Sequence, residues 1–237
     1  MSDAKRDSTG HATTTPAIYV VSMPTRRAQM VRRMSDQRLQ HRLIDGVSID
    51  DPRIDARAPD EARPYDRRVV ACLIAHLDAL RAFVATGAPE AIVCEDDVML
   101  VQNFADRFDA LRVDIPDQTP VVGLGYLIWH WVDHSWAGRA PQKENLCTIG
   151  QHAWGTQMYW LRRSWALACL RRFDRRISTI DTHDCRTAEL IIRTPDALLA
   201  YPPLAIEDLS GSLICPDEGN RNHPEALARW DRANYAE

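Results

Sequence analysis

Three acidic residues stand side by side in the stretch AIVCEDDVML, which runs from Ala91 to Leu100. Apolar residues lead into Glu95, Asp96 and Asp97, and apolar residues follow them at once. Adjacent carboxylates repel one another, and burial raises the free energy of each ionised form. A divalent cation would offset this cost, because Mg²⁺ and Mn²⁺ favour carboxylate oxygen and lower the pKa of the acids that hold them. The alternative is a solvated strand end, or a cap for the next helix.

The segments around this acidic triplet predict alternating strands and helices. Apolar β-rich runs predict strands at 17–22, 41–46, 91–95, 119–129, 155–160 and 197–206, the last one broken by two prolines. Helical periodicity and stop signals predict helices at 26–38, 69–87, 103–111, 164–173 and 182–192. The alternation indicates an α/β domain with a mostly parallel sheet and helices on both faces. Ligands bind beyond the carboxyl ends of such strands, so we expect the triplet at the rim of the sheet.

Composition limits the range of partners and locations. The 237 residues are 45% hydrophobic, enough for one sizeable core, and the formal net charge of -4 gives no basic field for nucleic acid. Residues 1–16 are polar, lack the apolar stretch of a secretory signal and are expected to be a disordered tail. No run approaches the ~20 apolar residues of a membrane span. We expect a cytoplasmic protein with reduced thiols, a main domain over 17–215 and an extension over 216–237.

The run VVACLIAHLDALRAFVATGAPEAIVCEDDVML, residues 69–100, resembles glycosyltransferase family 25. Three further stretches agree with the family in order and spacing: AIYVVSMPTRRAQM, LIDGV and GTQMYWLRRSWALACL. The chain departs from the family at Ala75, where a Ser is usual, and at Arg68 and Ala71, where glycines are usual. Cys72, His76 and the acidic triplet are kept.

The resemblance implies a single GT-A-type, Rossmann-like domain that binds a nucleotide-sugar. It implies an inverting transfer of a hexose, most often galactose from a UDP-sugar, to a glycan, lipopolysaccharide or other hydroxyl acceptor. Asp97 and Asp96 would hold Mn²⁺ or Mg²⁺ against the donor diphosphate, and Glu95 would orient its neighbours or the ribose. Which acid binds the metal directly stays open at this point.

Further donor contacts are expected where the first two strands end. Backbone N–H groups at a helix start suit an anion, and an arginine can pair with phosphate, so Pro24, Arg26 and Arg27 are candidates. Exposed arginines on a capped helix are the alternative. Asp45 could accept hydrogen bonds from uracil or ribose, or could be a plain turn residue.

Two groups of residues are candidates for the reaction itself. His76 lies on an apolar helix face, where a packed histidine is the commoner finding, and the resemblance raises a role in the site. Inversion requires a base near the acceptor hydroxyl, for which Asp181 is chosen, although helix capping also explains it.

The stretch GTQ, residues 155–157, would contact the donor sugar or the acceptor. By the resemblance, Gly155, Thr156 and Gln157 offer hydroxyl and amide groups for that contact, while an ordinary strand start after a glycine turn is the alternative. His130 and His134 are four residues apart, but no third zinc ligand is evident. The tryptophans at 129, 131, 136, 154 and 160 suggest an acceptor wall, although core packing is the commoner use of any one of them.

Two other functions compete with a transferase. A degenerate member of the family would bind a nucleotide-sugar, a glycan or a partner without turnover, which the changes at Arg68, Ala71 and Ala75 favour and the intact triplet opposes. A metal-dependent nucleotidyltransferase or phosphohydrolase also uses an acidic strand end, but the chain has no phosphate-binding glycine-rich motif. Basic helix faces leave peripheral contact with anionic lipid open, and the oligomeric state stays unassigned.

Overall fold

The computed structural model describes residues 15–55, 64–128, 145–148, 153–173, 191, 194–209, 227–228 and 230–236. Within these ranges the chain runs through β1 (Ile18–Ser22), α1 (Arg27–Asp36), β2 (His41–Asp45), α2 (Pro52–Asp55), α3 (Pro64–Val84), β3 (Glu90–Cys94), β4 (Val98–Val101), α4 (Phe104–Asp114), β5 (Val121–Ile128), β6 (Leu146–Thr148), β7 (Ala153–Arg162), α5 (Arg163–Phe173), β8 (Leu198–Ala200), β9 (Ala205–Glu207) and β10 (Tyr235–Ala236). The α/β class is confirmed. The predicted helix at 182–192 falls almost entirely beyond these ranges.

The sheet is mixed, so the expectation of a mostly parallel sheet is wrong. The strand order is β10-β4-β9-β5-β7-β3-β1-β2, with β8 beside β5 and β6 beside β8. Strand β1 pairs in parallel with β2 and β3, whereas β7 pairs antiparallel with both β3 and β5. Apolar strand runs do not encode direction; the connection to the neighbouring strand does. No helix was predicted between β5 and β7, which is consistent with their antiparallel pairing, since a parallel partner requires a long crossover.

Alternating side chains on the central strands build two cores, one on each face of the sheet. Val20 and Cys94 point into a core that includes residues of α1 and α4. Tyr19 and Val93, their chain neighbours, point into the other core, together with residues of α3 and α5. Successive strand side chains point to opposite faces, which explains this division. Helices therefore cover both faces, as the sequence predicted.

The parallel strands β1, β2 and β3 finish at the same end of the sheet. Ser22 lies opposite Asp45 in the register of β1 and β2, and Val20 lies opposite Cys94 in that of β1 and β3. The N–H of Gly46 donates to the Ser22 carbonyl at 2.9 Å, which holds the loop after β2 against the end of β1. This shared end presents the loops that form the cavity.

Short strands after the acidic triplet extend the sheet beyond the predicted elements. Strand β4 follows the triplet at once and pairs antiparallel with β9 and β10. The late strand is interrupted at its prolines into β8 and β9, as expected, with a cis bond between Tyr201 and Pro202. Among the helices in the described part of the chain, none is both long and apolar enough to cross a membrane.

Candidate functional site

The acidic triplet occupies the tight connection between β3 and β4. The Glu95 N–H donates to the Gln157 carbonyl at 2.9 Å, which extends the pairing of β3 with β7 by one residue. Asp96 and Asp97 then make the turn. The strand-end position agrees with the prediction, but Asp96 and Asp97 are only 6% and 8% exposed. They are more enclosed than a rim position implies.

Asp96 ties this turn to the loop between β1 and α1. Its Oδ2 accepts a hydrogen bond from the Met23 backbone N–H at 2.7 Å. Arg26 from the same loop places Nη1 at 3.5 Å from Asp96 Oδ1 and at 3.4 Å from Asp97 Oδ2. The loop therefore supplies one backbone donor and one guanidinium to two adjacent carboxylates, which offsets part of their charge.

Asp97 is the acid whose charge is least well compensated. Its Oδ1 is buried and has no hydrogen-bond partner. Burial, followed by the charges of Glu95, Glu207 and Asp96, raises the pKa of Asp97 well above its ordinary value, while Arg26 opposes the shift. A hard divalent cation prefers oxygen ligands, and Asp97 Oδ1 together with the neighbouring carboxylates offers them. The residues present therefore fit a Mn²⁺ or Mg²⁺ ion.

Glu95 is held on the opposite side of the turn. Thr156 Oγ1 donates to Glu95 Oε1 at 2.7 Å, and His76 Nε2 lies 3.5 Å from the same oxygen. Burial acts to raise the pKa of Glu95, but His76, Thr156 and Arg26 together outweigh it, so that the pKa is lowered. Glu95 is therefore ionised at neutral pH.

His76 is fully buried on α3, where it projects toward Glu95. Its Nδ1 lies 3.0 Å from the Tyr159 hydroxyl, and the two rings stack with centroids 5.8 Å apart. The other ring nitrogen, Nε2, is buried and has no hydrogen-bond partner. The histidine thus has one fixed nitrogen and one that faces the acidic strand end.

A cavity of about 290 Å³ opens at this end of the sheet. Its lining includes five predicted site residues: Arg26, His76, Glu95, Asp96 and Asp97. It also includes residues that were not chosen as site residues: Val21, Met23, Gly46, Val47, Ser48, Ile49, Arg68, Ala71, Cys72 and Ala75. All three positions of departure from the family, Arg68, Ala71 and Ala75, thus face the cavity.

Some predicted donor contacts lie beside the cavity rather than in its lining. Arg27 and Asp45 form an ion pair with each other, and the Asp45 side chain is 86% exposed. Pro24 is exposed in the loop between β1 and α1. None of these three residues belongs to the lining of the cavity.

The stretch 155–157 lies on β7, directly behind the triplet. Thr156 holds Glu95, as described above, and the Gln157 carbonyl receives the Glu95 N–H. Gly155 has φ +97°, a backbone conformation that residues with a side chain rarely adopt, which favours glycine at this position. These residues position the acidic turn from behind and do not line the cavity.

Several other predictions concern parts of the chain that the structure does not describe. They are the base Asp181, the histidines His130 and His134, and the tryptophan side chains at 129, 131, 136 and 154. Trp160 is described and is buried in the core, where its indole N–H donates to Glu90 at 3.1 Å. This tryptophan is therefore a packing residue.

Cys72 and Glu207 lie near the triplet but were not predicted as site residues. For Cys72, the spacing from His76 could have indicated a role. Cys72 precedes His76 by four residues on the same helix, so the two side chains share a face. Glu207, at the end of β9, is buried near Asp97 and raises its pKa. Nothing local in the sequence marks Glu207, because β9 reaches the triplet through long-range pairing with β4.

Comparison with known proteins agrees with the resemblance seen in the sequence. The profile of glycosyltransferase family 25 (LPS biosynthesis protein) matches residues 15–182. A protein of Rattus norvegicus named probable inactive glycosyltransferase 25 family member 3 is 28% identical over 126 residues, which cover 46% of this chain and 22% of that protein. The chain thus spans about a fifth of the length of this relative.

Two crystal structures match the chain at very low sequence identity. One is a glycosyltransferase involved in the glycosylation of the major capsid of PBCV-1, with 10% identity, 83% of this chain and 95% of that chain covered, and a TM-score of 0.46. The other is A197 from STIV, with 11% identity, coverage of 78% and 81%, and a TM-score of 0.40.

Proposed function

The chain belongs to glycosyltransferase family 25, and on this premise we propose that it is a metal-dependent hexosyltransferase. It would move a hexose, with galactose as the first candidate, from a UDP-sugar to a hydroxyl of a glycan or lipopolysaccharide, with inversion. The observation that carries the proposal is the carboxylate of Asp97, buried and with one oxygen that lacks a hydrogen-bond partner, at the edge of the cavity beyond β1 and β3. A cytoplasmic location remains part of this proposal.

Asp97 is the first candidate for holding the divalent cation, and Asp96 is the second. Asp96 Oδ2 is already engaged by the Met23 N–H, whereas Asp97 Oδ1 has no such donor. When bound, a divalent cation there would offset the negative charge of the leaving diphosphate. Glu95, fixed by Thr156, would keep the turn in place and could meet the ribose.

Two arginines face the cavity and suit the phosphates of the donor. Arg26 contacts Asp96 and Asp97 at 3.4–3.5 Å, which is long for charged partners, so it can turn toward an anion at small cost. Arg68 reaches the cavity from α3, whereas Arg26 reaches it from the loop between β1 and α1. A guanidinium binds phosphate oxygens in a bidentate manner, which favours a diphosphate between these two residues.

The acceptor side of the reaction rests on fewer residues. Asp181 stays the proposed base, within the 15–182 range of the family match and beyond the residues that the structure describes. A base must lie within hydrogen-bond reach of the attacking hydroxyl, so Asp181→Asn should abolish turnover while leaving donor binding unchanged.

Isothermal titration with UDP-galactose and UDP-glucose, in Mn²⁺ and in EDTA, tests the donor site. Binding should require the metal and should be lost in Asp97→Ala and Asp97→Asn. Asp117→Asn is the matched control, because Asp117 is exposed and precedes β5, at the opposite end of the sheet. Failure of folded wild-type protein to bind either donor in Mn²⁺ would overturn the assignment.

A binding protein without turnover is the second candidate. Ala75 lines the cavity where the family usually has a Ser, and the rat relative is named probable inactive. Product analysis separates the two functions. Release of UDP together with a new glycoside indicates glycosyl transfer. Metal-dependent binding of the donor with no product indicates the binding protein. Nucleotide transfer or phosphate release would indicate neither of these two functions.

A further inference from the structure

A second group of potential metal ligands lies at the inner wall of the same cavity. Cys72 and His76 stand four residues apart on α3, and Glu95 faces them from the end of β3. One ligand atom from each of the three residues lies within 4.8 Å of the other two. All three residues border the cavity, where Cys72 and Glu95 are partly exposed and His76 is fully buried.

The environment of His76 indicates that this group is built for a ligand. The side chain has 0% exposure, and its Nε2 lies 3.5 Å from Glu95 Oε1 without the geometry of a hydrogen bond. An unsatisfied polar atom of this kind is unfavourable unless something binds it. Its Nδ1 is meanwhile held by the Tyr159 hydroxyl at 3.0 Å, the kind of outer contact that orients a metal-binding histidine.

We propose that Cys72, His76 and Glu95 bind a zinc-class divalent cation, with a fourth coordination position open to the cavity. A thiolate, an imidazole and a carboxylate are the ligands that zinc takes in sites with three protein ligands. The sulfur and nitrogen donors disfavour Mg²⁺, which prefers oxygen, so the site differs in chemistry from the acidic turn. Water or a substrate oxygen would fill the open position.

The spacing is compatible with this coordination after a small adjustment. Ligand atoms in a tetrahedral zinc site lie about 3.3–3.8 Å apart, given metal–ligand distances of about 2.0–2.3 Å. The 3.5 Å between His76 Nε2 and Glu95 Oε1 already falls in this range. The three ligand atoms lie at most 4.8 Å from one another, so the longest distance between two of them has to shorten by at most about 1.5 Å. A rotation of the half-buried Cys72 side chain can supply this change.

A direct ion pair between protonated His76 and Glu95 is the competing explanation. Such an ion pair does not involve a thiol, so under this explanation Cys72 would contribute no ligand atom. The proposal is also independent of the glycosyltransferase function, because binding of the cation can be measured without any nucleotide or sugar. Failure of the protein to bind a donor would not contradict the zinc-class site, and failure to bind zinc would not contradict the donor site.

Titration of the metal-free, reduced protein with Co²⁺, a spectroscopic substitute for zinc, tests the proposal. Wild-type protein should develop the visible bands of tetrahedral cobalt and a thiolate-to-cobalt charge-transfer band, and Zn²⁺ should displace them. Cys72→Ser should remove the charge-transfer band and weaken Zn²⁺ binding by about ten-fold or more. His76→Gln and Glu95→Gln should each weaken it as well.

Two control variants separate this site from other thiols and from the acidic turn. Cys169→Ser removes a buried thiol that burial holds at a pKa of about 12, and it should leave the band unchanged. Asp97→Asn should also keep the band. Absence of a charge-transfer band in wild type, or its persistence in folded Cys72→Ser, would overturn the proposal. Melting curves of each variant establish that it is folded.

Discussion

At the scale of single residues, Asp97 illustrates a conflict between stability and function. Burial and three neighbouring acids raise its pKa, so the ionised carboxylate opposes folding at neutral pH. The Asp97 carboxylate contacts Arg26, but burial and the neighbouring acids outweigh that contact, so its charge does not favour folding. We therefore expect Asp97 to be unfavourable for stability and to be retained for binding.

Asp97→Asn should raise the free energy of unfolding by about 0.5–2 kcal/mol at neutral pH in EDTA. Because the pKa is higher in the folded than in the unfolded state, protonation of Asp97 favours folding, and that contribution is lost as pH rises through the folded-state pKa. The gain from asparagine should therefore shrink as the pH is lowered from the raised folded-state pKa toward the ordinary aspartate value, and it should be absent below that value. Urea unfolding at several pH values measures the difference in the free energy of unfolding between wild type and Asp97→Asn, with Asp117→Asn as the control. An Asp97→Asn variant that is less stable than wild type at neutral pH would contradict the argument.

At the scale of elements, a buried ion pair connects α1 to the acidic turn. Arg33 Nη1 lies 2.8 Å from Asp208 Oδ2 and donates to the Val98 carbonyl at 2.9 Å. The N–H of Asp208 in turn donates to the Asp97 carbonyl at 2.7 Å. The helix, β4 and the segment after β9 thus hold the backbone of the turn at Asp97 through residues that do not line the cavity.

Arg33→Ala should destabilise the protein by about 3–5 kcal/mol, because it removes the buried cation that faces Asp208. The double variant Arg33→Met with Asp208→Leu should recover much of that loss, since a buried pair can be replaced by apolar residues of similar volume. Urea unfolding of the variants measures both effects. Arg32→Ala, next along the helix and exposed, is the control and should fall within about 0.5 kcal/mol of wild type. If Arg32→Ala and Arg33→Ala lowered the free energy of unfolding equally, the stabilising role of the Arg33–Asp208 ion pair would be contradicted.

The same elements show which parts of the structure the sequence could predict. Local patterns located β1, α1, β2, β3 and the long helix α3, because apolar periodicity and turn residues encode them. A local sequence pattern does not determine whether a strand pairs parallel or antiparallel with its neighbours. The antiparallel position of β7 between β3 and β5 was therefore not predicted. At the site, the triplet was chosen from its chemistry and His76 from the family resemblance, and both lie in the lining of the cavity. Their partners Tyr159 and Glu207 come from distant strands, which no spacing rule reveals.

At the scale of the whole molecule, the last strand completes the sheet next to the site. Tyr235 pairs with Val101 of β4, and its hydroxyl donates to the Pro203 carbonyl at 2.9 Å. Gln102 donates its N–H to the Asn234 carbonyl at 2.9 Å, which continues the attachment. Strand β4 begins directly after Asp97, so β10 supports the strand that leads out of the acidic turn. Residues 216–237 thus contribute to the sheet through β10.

Two substitutions at Tyr235 separate packing from hydrogen bonding in this attachment. Tyr235→Ala should lower stability by about 3–5 kcal/mol, as for a buried aromatic residue, which corresponds to a fall in Tm of roughly 6–20 °C in a chain of this size. Tyr235→Phe keeps the ring and loses the bond to Pro203, so it should lower stability by about 1–3 kcal/mol. Differential scanning calorimetry measures both. If the segment were a loosely attached tail, neither variant would shift Tm, and β4 would then depend on β9 alone for its pairing beside the acidic turn.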